Sequence, residues 1–263
     1  MTNSRAERVR AVAQLARPAG RRRRGLFLAE GPQAVREAVR FAPEQVRDVY
    51  LTVDAAQRHA EITDATTAAG VYTHLCAPEV LAVMSGDAQG VVAVVRQLTA
   101  TTADLFAGPE PPRLLAACAQ VRDPGNAGTV IRAADAAGAQ GVLLSSGSVD
   151  VHNPKVVRST AGSLFHLPVA TGTDLAEAAG AAREGGMQVL AADGAGEQDL
   201  YGVDLSTPTM WVFGNEAHGL ARAERDLADA VVRIPIHGHA ESLNLAMAAT
   251  VCLYSSARAQ RSH

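Results

Sequence analysis

The sequence predicts an α/β protein of two domains, and three observations carry that reading. Strand-like and helix-like segments alternate from Leu26 onward, the pattern of layered α/β architecture. The 263 residues are 48% apolar, enough for one large core or two ordinary ones. The stretch Thr99 to Pro112 loses periodicity and ends in three prolines within four residues, the mark of a linker. The expected layout is therefore residues 1–100, a linker over 101–112, and residues 113–263.

In the first domain the β-branched or aromatic runs Leu26–Leu28, Val46–Thr52, Val71–Leu75 and Val91–Leu98 read as strands. Pro32–Phe41, Ala55–Ala69 and Pro78–Met84 carry helical spacing. Pro32 and Pro78 suit a first turn, whose leading N–H groups lack intrahelical partners, and Gly70 and Gly86 suit stops. The second domain continues with strands Leu114–Gln120, Gly141–Ser145, Met187–Ala192, Thr209–Phe213 and Val231–Ile236. Its expected helices are Gly128–Ala137, Pro154–Ser163, Asp174–Glu184, Ala221–Ala230 and Ser242–Ala259. Several of these strands are apolar along their whole length, as expected when both sheet faces are covered.

Charge is unevenly spread. Residues 1–24 hold eight arginines against one glutamate, leaving 16 basic and 26 acidic residues in the rest, for a net charge of −3. This excludes a uniformly basic coat, and a basic arm on an acidic body points to a localised polyanion contact. Cys76, Cys118 and Cys252 are too widely spaced for a disulfide framework or a zinc pattern, which fits a reducing, cytoplasmic compartment. The longest nearly apolar run, Leu243 to Tyr254, is shorter than the roughly 20 residues that span a bilayer, so no membrane partner is expected. The arginine-rich start has no apolar stretch behind it and runs directly into Leu26–Gly31, unlike a secretory signal.

Three polar, glycine-containing loops follow strands in the second domain. The first, Val121-Arg122-Asp123-Pro124-Gly125-Asn126-Ala127-Gly128-Thr129, is either an anion cradle at a helix N-terminus or a structural turn. It lacks the lysine of a P-loop and the spacing of a dinucleotide fingerprint. Arg132 is expected about one turn into the next helix, leaning back over the loop. The second, Phe213-Gly214-Asn215-Glu216-Ala217-His218-Gly219-Leu220, sets a carboxylate between glycines. Glu216 there either caps a helix near Ala221 or has a defined partner. The third runs from Ile234 to Asn244, with Ser242 placed to cap the last helix and Asn244 in its first turn. His237 and His239 have no third convergent ligand, so no metal is expected. Ligands of parallel sheets bind beyond the carboxyl ends of the strands, so the loops should converge, with neighbouring apolar segments walling an adenine.

Asn126-Ala127-Gly128-Thr129-Val130-Ile131-Arg132-x-Ala134-Asp135, Phe213-Gly214-Asn215-Glu216-x-x-Gly219-Leu220 and Ile234-Pro235-Ile236-x-Gly238-x-x-x-Ser242-Leu243-Asn244 resemble, in order, the three motifs of the SpoU/TrmH family of RNA ribose 2′-O-methyltransferases. Arg21–Gly25 leading into Phe27–Gly31 resembles the family's small ribosomal-protein-like RNA-binding domain. The resemblance implies a trefoil-knotted catalytic domain, S-adenosylmethionine as methyl donor, and a homodimer with the active site near the subunit interface. Gly214, Ile234 and Leu243 are then the expected cofactor contacts. Asn126, Arg132, Glu216, Ser242 and Asn244 are the expected catalytic constellation. Arg132, matching a residue assigned as base in the family, is expected instead to clamp a phosphate and stabilise developing alkoxide charge, because a guanidinium is ordinarily a permanent cation.

RNA contacts are expected from Arg21, Arg22, Arg23 and Arg24, which neutralise phosphates without reading sequence, and from Lys155 and Arg158 near the catalytic face. With aromatics at 4%, extensive base stacking is not expected, and recognition should rest on RNA shape and backbone. The domain order favours large-subunit (23S) ribosomal RNA as substrate, with antibiotic-resistance methylation as a variant of that reading and transfer RNA as the alternative. A non-catalytic RNA-binding or ribosome-assembly protein would have lost a member of the constellation, whereas all five residues are present.

Overall fold

In the computed structural model, which describes residues 1–261, the chain forms two compact units. The first comprises Met1–Leu98 together with Asp150–His166, and the second Thr99–Val149 with the chain from Leu167.

The first unit opens with two short helices, α1 (Glu7–Ala13) and α2 (Pro18–Arg24). The expected loose arm is thus folded: Val9, Val12 and Leu15 are buried in one cluster with Leu26, Leu28 and Tyr50. Pro18 begins α2 and Gly25, at φ 63°, ends it, a left-handed position that glycine takes without a Cβ penalty. A mixed sheet follows, built from β1 (Leu26–Glu30), β2 (Val46–Thr52), β3 (Tyr72–Cys76) and β4 (Val91–Arg96) in the order β1-β4-β2-β3. Only the β2–β3 pair is parallel. Its helices are α3 (Pro32–Phe41), α4 (Val53–Arg58), α5 (Ala60–Ala68) and α6 (Pro78–Met84). The single helix expected over Ala55–Ala69 is broken at His59, whose φ of −120° and ψ of 54° are not helical.

Arg21 is only 1% exposed. Its Nε and Nη2 donate to Asp150 Oδ2 at 2.9 and 2.6 Å, and Nη1 donates to the carbonyl oxygens of Leu15 and Ala16 at 3.1 and 3.0 Å. A guanidinium leaves water only when its donors are matched in this way. Arg21 is thereby corrected from a phosphate contact to a buried clamp.

His152 lies nearby, its ring centroid 4.7 Å from that of Phe27. Burial pushes its pKa down to about 4; Asp150 opposes that shift and Arg21 adds to it. The unfolded chain therefore takes up this proton first as pH falls below the ordinary histidine value. Stability of the first unit should decline between about pH 6.5 and pH 4, by roughly 2–3 kcal/mol when complete. Chemical unfolding at pH 7 and pH 4.5 of the protein and of His152→Gln checks this, since the variant should lose that part of the acid sensitivity.

In the second unit β5 (Leu114–Cys118) leads to α7 (Pro124–Ala137) and β6 (Gly141–Ser145). The chain then contributes α8 (Pro154–Ser159) to the first unit and returns as β7 (Val169–Thr173), α9 (Leu175–Glu184), β8 (Gln188–Ala192) and the two-residue β9 (Gln198–Asp199). It ends with β10 (Thr209–Phe213), α10 (Arg222–Arg225), β11 (Ala230–Arg233) and α11 (Leu245–Arg261). The sheet is wholly parallel, in the order β7-β6-β5-β10-β8-β11-β9.

Three expectations change here. The region 101–112 contains no long element, but Leu105 is buried with Leu115 and Leu143, so the segment is anchored to the second unit. The helix expected over Ala221–Ala230 shrinks to α10, because the chain must rejoin the sheet at Ala230. The helix expected from Gly128 begins at Pro124, where Asp123 caps it by accepting the Asn126 N–H at 2.8 Å. At the far side α11 is fixed to β10 by a fully buried bond in which Trp211 Nε1 donates to Ser256 Oγ at 2.9 Å.

Candidate active site

The carboxyl ends of β8, β10 and β11, together with Asn126 of α7, border one cavity of about 860 Å³. Gly214, immediately after β10, shapes its wall. A Cβ there would lie 2.3 Å from Gly219 C and 2.5 Å from Leu220 N, so only glycine lets the loop fold back on itself. Asn215 and Gly219 close that loop with reciprocal backbone bonds of 3.0 and 2.9 Å. Gly219 takes a left-handed φ of 66°.

Glu216 does not cap α10; Glu224 does so by accepting the Ala221 N–H at 2.8 Å. Instead Glu216 reaches across to the β5–α7 loop. Its carboxylate accepts the backbone N–H groups of Arg122 and Asp123 at 3.3 and 3.2 Å and the side-chain amide of Asn126 at 3.2 Å. Asn126 Oδ1 in turn accepts from Asn244 Nδ2 at 2.9 Å. Asn244 Oδ1 accepts from Ala246 N at 2.9 Å and Met247 N at 3.4 Å, so Asn244, not Ser242, caps α11. The result is an unbroken row, Asn244 to Asn126 to Glu216, that ties the three loops together along the cavity.

Ser242 lines the cavity with Gly214, Ile234 and Leu243, and makes no hydrogen bond among the described residues. The apolar side chains of Val232, Ile234 and Leu243 face the same space as Asp193, Glu216 and Glu241. An apolar ring and a cationic centre both find complementary surface there. Cys118, beneath the site at the end of β5, is pushed up to about 12 by burial, with the Glu216 charge adding. It is therefore an inert thiol and no nucleophile.

Arg132 stands apart. Because α7 begins at Pro124, Arg132 lies in its third turn, not its first. At 100° per residue it is turned about 120° away from Asn126. It is exposed, does not line the cavity, and makes no hydrogen bond or ion pair among the described residues. Arg22, Arg23 and Arg24 are exposed on α2, and Lys155 is exposed in the first turn of α8. Arg158 is corrected: it pairs with the buried Glu30 and, at 3.0 Å, with Asp87. Its charge is thus spent within the first unit.

The loop after β8 was missed, although Asp193-Gly194-Ala195-Gly196 has the same polar, glycine-containing character as the others. Gly196 permits its close approach to β11, since a Cβ would lie 2.7 Å from Arg233 N. Arg233 pins the loop further by donating to the carbonyls of Gly196 and Glu197 at 3.0 and 2.8 Å.

A parallel sheet flanked by helices, with a cavity beyond its strand ends and a three-loop amide row beside it, defines an α/β protein with a ligand site at the carboxyl edge of its sheet. The model of the SpoU rRNA methylase family matches residues 113–254, and that of the RNA 2′-O ribose methyltransferase substrate-binding domain matches residues 28–101. A tRNA/rRNA methyltransferase of Synechocystis sp. is 33% identical over 96% of this chain and 91% of its own length. The 23S rRNA (guanosine-2′-O-)-methyltransferase RlmB of Bordetella pertussis is 33% identical over 87% of this chain and 95% of its own. The SpoU methyltransferase AviRb of Streptomyces viridochromogenes, solved in complex with AdoMet, superposes with a TM-score of 0.85 at 31% identity, covering 98% of this chain and 100% of that one. This chain belongs to the SpoU rRNA methylase family. Among the described residues no helix is long and apolar enough to cross a membrane.

Proposed function

We propose that this protein methylates a ribose 2′-hydroxyl in structured RNA, with 23S ribosomal RNA as the substrate and S-adenosylmethionine as the donor. The observation that carries this reading is the Asn244–Asn126–Glu216 row along the cavity. The Bordetella relative, named for 23S rRNA and matched over 87% of this chain, favours ribosomal over transfer RNA. Bound S-adenosylmethionine supplies a methyl group already activated on a sulfonium. Gly214, Ile234 and Leu243 would hold it, and the carboxylates facing the cavity suit its positive charge.

The chain's own part is to hold and discharge the nucleophile. Asn126, fixed between Glu216 and Asn244, and Ser242, with a hydroxyl not committed to a neighbour, position the ribose. Held there, the 2′-oxygen would stand in line with the sulfonium methyl, so that transfer would leave S-adenosylhomocysteine and pass the hydroxyl proton to solvent water. Arg132 clamps the adjoining phosphate and stabilises developing alkoxide charge.

The reading includes a homodimer. On α11 the exposed Met247 and Tyr254, at 56% and 49% exposure, lie seven residues apart and so share one face. Tyr254 reaches the carbonyl of Ala136 on α7, the helix that exposes Arg132. A second copy on this face would bring Arg132 of one protomer to the cavity of the other. The trefoil knot belongs to the same proposal. Mapping ribose methylation across total RNA, with and without the enzyme, tests the function: a new mark in 23S RNA is expected. A mark in transfer RNA alone would move the substrate class, and no mark would favour an RNA-binding protein.

Arg22, Arg23 and Arg24 supply phosphate affinity. Deleting residues 1–24 would also strip Val9, Val12 and Leu15 from the core, so the informative change is alanine at these three arginines. Fluorescence titration should show weaker RNA binding, and the slope of log affinity against log salt should flatten by about 2–3. An unchanged slope would make the cluster a spectator.

A further inference from the structure

Gln120, at the end of β5, has a φ of 48°, a left-handed conformation that costs a residue with a Cβ on the order of 1 kcal/mol or more and recurs at functional sites. Two neighbouring strands hold it there. Its N–H donates to Ser145 Oγ at 2.8 Å, and its carbonyl accepts from Asn215 Nδ2 at 2.7 Å. Glycine would satisfy this backbone without strain, yet the position carries an exposed amide side chain. Two residues on, Arg122 is also exposed, and its backbone N–H lies 3.3 Å from Glu216. Arg122 Nη2 donates to Gln120 Oε1 at 3.5 Å, and the Gln120 amide NH₂ makes no hydrogen bond among the described residues. Arg122 is thus tied to the amide row through its backbone, and its exposed guanidinium stands beside Gln120, outside the lining of the cavity.

We propose that Gln120 and Arg122 form the specificity element for the nucleotide whose ribose is methylated. Gln120 donates from its amide to a carbonyl oxygen or ring nitrogen on that nucleotide's base, and Arg122 neutralises the adjoining phosphate. The inference rests on the RNA-methylation reading above and adds to it a means of base selection. The strained backbone is what aims the side chain: in an ordinary extended conformation Gln120 would simply prolong β5.

The test is steady-state methylation of short RNAs that present each of the four bases at the target ribose. It compares the unaltered enzyme with Gln120→Gly, Gln120→Ala and Arg122→Ala. Gln120→Gly should melt no lower than the unaltered protein and bind S-adenosylmethionine within about twofold, while its KM for RNA rises about tenfold and its preference among bases shrinks. Arg122→Ala should raise KM for all four RNAs alike and flatten the salt dependence by about 1. Unchanged KM and base preference in Gln120→Gly, or a lowered melting temperature for it, would assign Gln120 to the fold alone and overturn the inference. Absence of methyl transfer by the unaltered enzyme would overturn the functional reading itself, and this inference with it.

Discussion

Gly214→Ala should weaken cofactor binding by about thirtyfold to a hundred-and-fiftyfold. The new methyl carbon would sit 2.3 Å from Gly219 C and 2.5 Å from Leu220 N, both backbone atoms that cannot rotate away. The loop must open, at the expense of the reciprocal Asn215–Gly219 bonds. Overpacking of this kind costs about 2–3 kcal/mol. Set against cofactor binding, that penalty lowers apparent affinity by about thirtyfold to a hundred-and-fiftyfold. Calorimetric titration with S-adenosylmethionine checks this; an affinity within error of the unaltered protein would remove the loop from the site.

Arg132→Ala should lower the rate of methyl transfer by about a hundredfold to a thousandfold, the scale of a lost charge-stabilising donor. Cofactor affinity should hold, because Arg132 does not line the cavity. Its position also makes a sharper demand. If Arg132 serves the neighbouring protomer, a mixture with Leu243→Glu, which blocks the pocket, should regain activity. Randomly assorted pairs would restore about a quarter of the sites, since half the dimers are mixed and each mixed dimer has one intact site. No recovery would place Arg132 in its own protomer's chemistry.

Much of the fold can be read locally. Pro32–Phe41, Pro78–Met84, Val46–Thr52 and Thr209–Phe213 form as their proline starts and apolar runs predict. β7 escaped because Val169–Thr173 is an edge strand containing Gly172 at φ 70°, with little apolar signal. The helix expected over Ala221–Ala230 shows the opposite error: good local propensity yields to a chain that must return to the sheet.

The burial of Arg21 is geometric. Successive helical residues are about 100° apart, so four consecutive arginines encircle α2 and one must face inward. For the site, Gly214, Ile234, Ser242 and Leu243, which the motifs single out, line one cavity. The contacts that order the site could not be read, because Glu216 meets Asn126 across 90 positions and Asn244 meets it across 118. Sequence spacing holds no record of such pairings.

The bond between Asn244 and Asn126 also sets an order of events in time. Joining residues 118 positions apart closes a long loop, and contacts of that separation form late because their closure entropy must be met first. The same bond requires α11, the last element of the described chain, since the residue that makes it is that helix's cap. A growing chain can therefore have its α1–α6 unit nearly built, arginine-bearing α2 included, while Asn126 and Asn244 are still unconnected. The Asn244–Asn126–Glu216 row is thus completed only once α11 has formed.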